Sequence, residues 1–136
     1  KIKITNMVYE ESTAEKESFD AKLISQRIRE NKIQMKNIEN INLYNKLIHD
    51  FNLGKGEAES ITLAFEEKDI VLSDDKKAIN TCRILNIKFT TALNILVGLN
   101  KNKTINKEKA RIILKKLEDY GRYSQDLIKK VEEDLK

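Results

Sequence analysis

The stretch 54–78 constrains the fold of this chain more than any other part of its sequence. It opens with two glycines that punctuate a loop, and apolar residues then recur at helical spacing, so one face of the predicted helix is apolar. These residues are Ala58, Ile61, Ala64 and Phe65. The run Ile70–Leu72 follows, and a short continuous apolar run of this kind is typical of a buried parallel strand. The stretch therefore predicts a helix followed by an interior strand of an α/β sheet.

Acidic residues stand at the two ends of this helix–strand unit. Glu57 lies in the first turn of the predicted helix, and Asp74 and Asp75 follow the apolar run. Ligands of open α/β sheets bind beyond the carboxyl ends of the strands, so these side chains are expected to converge on a divalent cation. Each acid also fits an ordinary role, because Glu in a first helical turn complements the helix dipole and Asp after a strand is a common N-cap.

The composition is that of one globular domain. The chain has 136 residues, is 40% hydrophobic and 35% charged, and carries a net charge of +4, which permits a polyanionic partner without demanding one. Cys82 is the only cysteine, so an intrachain disulfide and a thiolate metal cluster are excluded, and its helical face places it in the core. A lone thiol fits a reducing cytoplasmic location, and no apolar run approaches membrane-spanning length.

Strand and helix patterns alternate along most of the chain. Strands are predicted at 1–5, 33–36, 70–72 and 87–89, and helices at 7–11, 12–31, 42–51, 57–65, 78–86 and 90–99. Asn6 is the expected cap of the first helix, and the capping-box pattern Ser12–Glu15 is the expected start of the second. This alternation predicts a parallel sheet with helices on both faces.

The C-terminal part has helical patterns and no strand. Gly121 is placed to end the first of two helices, and Ser124 to cap the second. Each helix has one apolar stripe, so we expect the pair to pack on the domain or on a partner subunit. The predicted division is an α/β domain at 1–103 and a helical pair at 104–136.

Four short motifs resemble the PIN-domain ribonucleases, in particular a subgroup of small prokaryotic proteins. Gly56–Glu59 matches the Gly-Glu-Ala-Glu helix of that subgroup, and Ser73–Ala78 matches its Asp-Asp box. Val8–Glu11 is similar to its Val-x-x-Glu pattern, and Gly121–Ile128 to its closing Gly-aromatic-Ser-Asp-Leu pattern. The order and spacing of the motifs extend the resemblance over essentially the whole chain.

The resemblance implies a three-layer α/β/α PIN-like fold with a central parallel sheet and a C-terminal helix pair. It also implies an endoribonuclease that depends on Mg²⁺ or Mn²⁺. Glu11, Glu57, Asp74 and Asp75 would be the metal ligands, and the last three of these would be the catalytic acids. Three or four carboxylates suffice for such an ion, because Mg²⁺ keeps several of its waters.

The resemblance further implies contacts to substrate and to protein partners. Lys55, Lys76 and Lys77 would hold the RNA backbone, although exposed lysines are more often simply solvated. Thr90 or Thr91 would hydrogen-bond a water on the metal. Relatives of this kind are often toxins, so an antitoxin protein and a homodimer are expected as partners.

One departure from the family pattern bears on activity. The family opens with a strand that ends in Asp, a main metal ligand, whereas this chain begins with what resembles the second strand of the family. Either the natural protein has a further strand and helix of about 20–25 residues upstream, or this version lacks a main ligand. In both cases we expect impaired cleavage by the 136-residue chain. The alternative interpretation is a non-catalytic PIN-like scaffold that binds RNA or a protein.

Overall fold

The computed structural model describes residues 1–136 as a mixed α/β chain with eight helices and four short strands. In chain order they are β1 (Ile2–Thr5), α1 (Asn6–Ser12), α2 (Phe19–Arg29), β2 (Ile33–Lys36), α3 (Ile41–His49), α4 (Lys55–Glu67), β3 (Val71–Leu72), α5 (Lys76–Ile84), β4 (Phe89–Thr90), α6 (Ala92–Lys101), α7 (Lys107–Tyr120) and α8 (Gln125–Asp134). The predicted α/β fold class, with short parallel strands, is confirmed. The chain divides into two compact units, 1–89 and 90–136.

The strands form two sheets of two strands each. β1 and β2 are parallel, with Ile2 opposite Ile33 and Thr5 opposite Lys36. β3 pairs with β4 in the second sheet. Three of the strands lie at or within one residue of the predicted positions, and β4 begins two residues later than predicted. Each strand has a single strand partner.

The segment Ile70–Leu72 is less buried than its sequence predicts. Val71 is only 5% exposed, whereas Ile70 is 61% and Leu72 is 56% exposed. The prediction that the whole run lies inside a sheet is therefore wrong for two of its three residues. The reason is that β3 is two residues long and pairs with β4 alone, which leaves its other edge without a strand partner.

Helix α4 forms the centre of the first unit. Of the four residues that helical spacing assigned to its apolar face, Phe65 is 52% exposed, whereas Ala58, Ile61 and Ala64 are less than 5% exposed. They pack in one cluster with Leu47 of α3 and Cys82 of α5. Cys82 is the small buried core residue that its position predicts, and its burial raises the pKa of the thiol.

Two acids of α4 also hold the starts of neighbouring helices. The Glu59 carboxylate accepts a hydrogen bond of 3.0 Å from the Met7 backbone N–H in the first turn of α1. The Glu66 carboxylate accepts from the backbone N–H groups of Glu39 and Asn40, just before α3, at 2.8 and 2.5 Å. Because the first N–H groups of a helix have no partner within the helix, these carboxylates fix α1 and α3 to α4.

A third acid of α4 joins that helix to the parallel strand pair. Glu67 accepts from the Lys3 ammonium of β1 at 2.6 Å and from the Lys36 ammonium of β2 at 2.8 Å. Asp69 makes a second contact of 2.6 Å with Lys3. The hydrogen bond from Lys3, followed by that from Lys36, lowers the pKa of Glu67 from 4.5 to about 2.

Replacing Glu67 by glutamine is expected to reduce stability at neutral pH and to remove part of its acid dependence. A carboxyl whose pKa is lowered by folding stabilises the folded state above its unfolded pKa and loses that contribution as pH falls through its folded value. The difference in free energy of unfolding between wild type and Glu67→Gln should therefore shrink as pH falls from 4.5 to about 2. Urea denaturation followed by circular dichroism at several pH values measures this difference.

The matched control for this prediction is Glu133→Gln, which makes the same change of charge at an exposed position in α8. Its denaturation midpoint should differ little from that of wild type across the range. A difference in free energy of unfolding between wild type and Glu67→Gln that stays constant down to about pH 2 would contradict a stabilising role for the paired carboxylate.

The first two helices begin at different residues from those that the sequence predicts. The hydroxyl of Thr5, rather than Asn6, caps α1 by accepting from the Val8 N–H. Helix α2 begins at Phe19, because Ser18 is its cap and accepts from the Ala21 N–H at 3.2 Å. The predicted capping box at Ser12–Glu15 does not form, since α1 itself extends to Ser12 and a turn follows.

The second unit consists of α6, α7 and α8 around a core of its own. Leu96, Leu114 and Val131 are among its buried residues, one from each helix. The unit begins at Thr90, because α6 shares this core with the two later helices, and it contains the predicted helical pair at 104–136. Gly121 ends α7 and Ser124 caps α8 as predicted. None of the eight helices combines the length and the apolarity that crossing a bilayer requires.

Candidate functional site

The candidate site begins with Glu57 in the first turn of α4. The cap position of this helix is Gly54, which has no side chain to accept from the free N–H groups. The Glu57 carboxylate bends back over that glycine, and a Cβ at position 54 would lie 2.5 Å from Glu57 Oε2. The glycine thus leaves space for a carboxylate at the positive end of the helix.

Glu11 reaches the same helix start from α1. Its carboxylate lies against the buried Gly56, and a Cβ at that position would clash with Glu11 Oε2 and stand 3.0 Å from Glu11 Cδ. The bond from the Met7 N–H to Glu59 holds α1 against α4 and so directs Glu11 to this place. The absence of a side chain at Gly56 is therefore what permits the approach of the acid.

The two carboxylates together make the start of α4 strongly negative. They lie on glycines that are two residues apart, and neither of them is held in an ion pair. Glu57 is partly buried, and Glu11 is exposed at the end of α1. Such a pair offers oxygen ligands to a hard cation, with room for further ligands on the solvent side.

The Asp-Asp box lies at the start of α5. Asp75 caps that helix, with its Oδ2 accepting from the Ala78 N–H at 2.9 Å, and its own N–H donates to the Ser73 hydroxyl at 3.1 Å. Asp74 precedes it and is exposed. The ordinary capping role of Asp75 is thus present in the structure, and it leaves the second carboxylate oxygen outside the cap.

The acids available fit a divalent ion that has only a few protein ligands. No group of three or more His, Cys, Asp or Glu side chains is gathered closely enough to form a metal cluster. The structure brings Glu11 and Glu57 to one helix start, and it does not assemble them with Asp74 and Asp75 into such a group. Mg²⁺ is commonly held by one or two carboxylates together with waters and phosphate oxygens of a ligand, and this donor pair meets that requirement.

The three predicted lysines lie beside these acids in the sequence and are exposed to solvent. Lys55 is the first residue of α4, directly between the two glycines, and Lys76 and Lys77 open α5. None of the three forms an ion pair with a carboxylate. Their ammonium groups are therefore available to an anionic ligand, although exposure alone is equally typical of solvated lysines.

The two predicted threonines stand at the junction of β4 and α6. Thr90 ends β4, and Thr91 caps α6 by accepting from the Asn94 N–H at 3.2 Å. The cap is the role that the sequence predicts for this position. Hydrogen bonding of either threonine to a metal-bound water stays a prediction.

A family model described as a PIN domain matches residues 1–136, which is the whole of the sequence. A search of curated proteins found no match.

Proposed function

The chain belongs to the PIN-domain family, and from this premise we propose that it is a divalent-metal-dependent endoribonuclease of the toxin type. PIN domains are generally nucleases and generally use divalent metal ions. The proposal adds RNA as the substrate, Mg²⁺ or Mn²⁺ as the ion, and an antitoxin protein and a second copy of the chain as partners.

The position of Glu11 is the observation that carries this proposal. An acid in the last turn of a helix is electrostatically unfavourable, because that end of the helix is negative. Glu11 nevertheless stands there in α1, against Gly56 at the positive end of α4 and close to the turn that contains Glu57. Neither structural capping nor ion pairing accounts for it, whereas a shared cation would.

The proposed site assigns the metal ion and the RNA backbone to different side chains. Glu11 and Glu57 hold the ion, and the partly free carboxylate of Asp75, with Asp74, completes the acidic side when RNA is bound. Lys55, Lys76 and Lys77 hold the backbone of the strand. When bound, Mg²⁺ or Mn²⁺ neutralises phosphate charge and lowers the pKa of a bound water for hydrolysis.

The direct test is Gly56→Ala. The atoms nearest to the added methyl group belong to the flexible end of Glu11, so the methyl group should displace that carboxylate. The helix should stay folded, since alanine is the better helix former by about 1 kcal/mol. Metal-dependent cleavage of RNA should fall by about 10- to 100-fold, the range typical when ligand geometry is disturbed. Initial rates on a labelled single-stranded RNA, measured over a range of Mn²⁺ concentrations, give the result.

Gly98→Ala is the matched control. Gly98 lies in α6, and a Cβ there meets nothing within 4 Å. The same substitution should raise stability by about 0.5–1 kcal/mol and leave cleavage unchanged. Equal activity of Gly56→Ala and wild type, with both proteins folded, would overturn the role of Glu11.

A second candidate function is favoured by the small number of acids gathered at the site. A PIN-like scaffold that binds RNA or a protein without cutting RNA needs no metal cluster, and none of three or more ligands is assembled here. The assay separates the two functions, because a scaffold would bind the RNA with an affinity indifferent to Mn²⁺ and would leave it intact.

A further inference from the structure

A second feature of the first unit is a cavity beside α1. It lies between α1, the turn 13–18 and α2, and its volume is about 590 Å³. This volume falls in the range of about 300–1,000 Å³ that is usual for small-molecule and cofactor sites. None of the predicted site residues lines it.

The charged side chains around the cavity favour an anion. Lys16, Lys22 and Arg29 line it, against the single carboxylate of Glu10. Lys22 is partly neutralised by Glu17 at 3.1 Å. Lys16 and Arg29 form no ion pair, so their charges are available to a ligand. Arginine in particular binds phosphate through two parallel hydrogen bonds.

The other lining residues of the cavity include an aromatic side chain on which the base of a nucleotide can stack. Tyr9 contributes a partly buried aromatic ring, and bases stack on such rings in single-stranded RNA complexes. Lys22 and Arg29 are seven residues apart on α2, which separates their Cα atoms by about 10 Å along the helix axis. The positively charged side of the cavity, from Lys22 to Arg29, is therefore longer than one phosphate group.

We propose that this cavity holds a nucleotide of the RNA strand, next to the phosphodiester that lies at Glu11 and Glu57. The inference rests on the proposed function. Glu10 lines the cavity, and Glu11, the following residue, reaches the start of α4, so both places adjoin the last turn of α1. Consecutive Cα atoms are about 3.8 Å apart, so adjacent residues of α1 bring the two places close to each other.

The test compares Lys16→Ala/Arg29→Ala with Lys129→Ala/Lys130→Ala. Both double variants remove two exposed positive charges, and the second pair lies on α8. Binding of a short fluorescein-labelled single-stranded RNA is measured by anisotropy in EDTA, where the RNA stays intact. The Kd should rise about tenfold or more for the cavity variant and less than about threefold for the control. The salt dependence of log Kd should also become shallower by about one to two for the cavity variant.

The outcomes separate this inference from the proposed function. RNA binding by wild type that is weakened equally in the two double variants overturns the cavity and leaves the nuclease proposal standing. Absence of RNA binding by wild type in EDTA overturns the cavity contact, and the nuclease proposal is then decided separately by cleavage in Mn²⁺. Adenosine monophosphate, titrated as a competitor, distinguishes a strand from a free nucleotide. Competition as strong as that of the RNA itself would show a site for free nucleotides and would overturn the proposed strand contact.

Discussion

Glu57→Gln is expected to lower metal-dependent RNA cleavage by about a hundredfold or more. Glutamine keeps the shape of the side chain and its fit over Gly54, so the fold should be unchanged. It removes one of the two negative charges at the start of α4, and a neutral amide oxygen is a much weaker ligand for a hard cation than a carboxylate. The affinity for Mn²⁺ should fall with the cleavage rate, and both should be measured on the same preparations.

The control for this prediction lies two residues further along the same helix. Glu59→Gln makes the same change of charge, and its amide oxygen can still accept the hydrogen bond from the Met7 N–H. We expect this variant to keep most of the cleavage activity, because α1 and Glu11 stay in place. Wild-type cleavage by Glu57→Gln would remove Glu57 from the site, and equal losses in the two variants would indicate a general effect of charge on RNA binding.

The local part of the fold was predictable because local sequence determines it. The apolar spacing of Ala58, Ile61 and Ala64 selects the buried face of α4, and small polar residues such as Thr91 and Ser124 cap helices by contacts within three residues. The starts of α1 and α2 were misplaced because several residues there are competent caps. Only packing decides which of them is used.

Contacts between residues that are distant in sequence could not be predicted, because no local sequence pattern indicates them. Glu67 meets Lys3 across 64 positions of sequence, and nothing in the sequence near either residue selects the other. In the second unit the buried Asn100 accepts from the Lys136 N–H at 2.6 Å and donates to the backbone oxygen of the same residue at 3.2 Å, so it fixes the last residue. An asparagine in an amphipathic helix gives no sign of such a partner.

The candidate site was partly readable from the sequence. Glu57 follows from its place in a first helical turn, and Glu11 from the resemblance to the family. The glycines were interpreted as loop punctuation, but Gly54 and Gly56 provide the space in which the two carboxylates lie. Two glycines that flank a helix start, with an acid in its first turn, are the signal that was available. The upstream strand with its further Asp stays a prediction.

Leu47→Ala is expected to reduce the free energy of unfolding by about 2–5 kcal/mol. Leu47 is completely buried on α3 and packs in the core cluster that contains Ile61 of α4 and Val71 of β3. Truncation removes apolar contacts and leaves a cavity that a helix packed on α4 can close only in part. Because total stabilities of domains are about 5–15 kcal/mol, the loss is a large fraction of what holds the first unit together.

Two controls determine whether the effect of Leu47→Ala comes from lost packing. Leu47→Met nearly conserves volume and should cost less than about 1.5 kcal/mol, whereas Leu72→Ala, at a position that is 56% exposed, should change stability by about 0.5 kcal/mol or less. Urea denaturation followed by circular dichroism ranks the three variants. A loss of unfolding free energy for Leu72→Ala as large as that for Leu47→Ala would mean that Leu72 is covered in solution. The unpaired edge of β3 would then be the first place to look for the covering segment, because an open strand edge accepts a further strand.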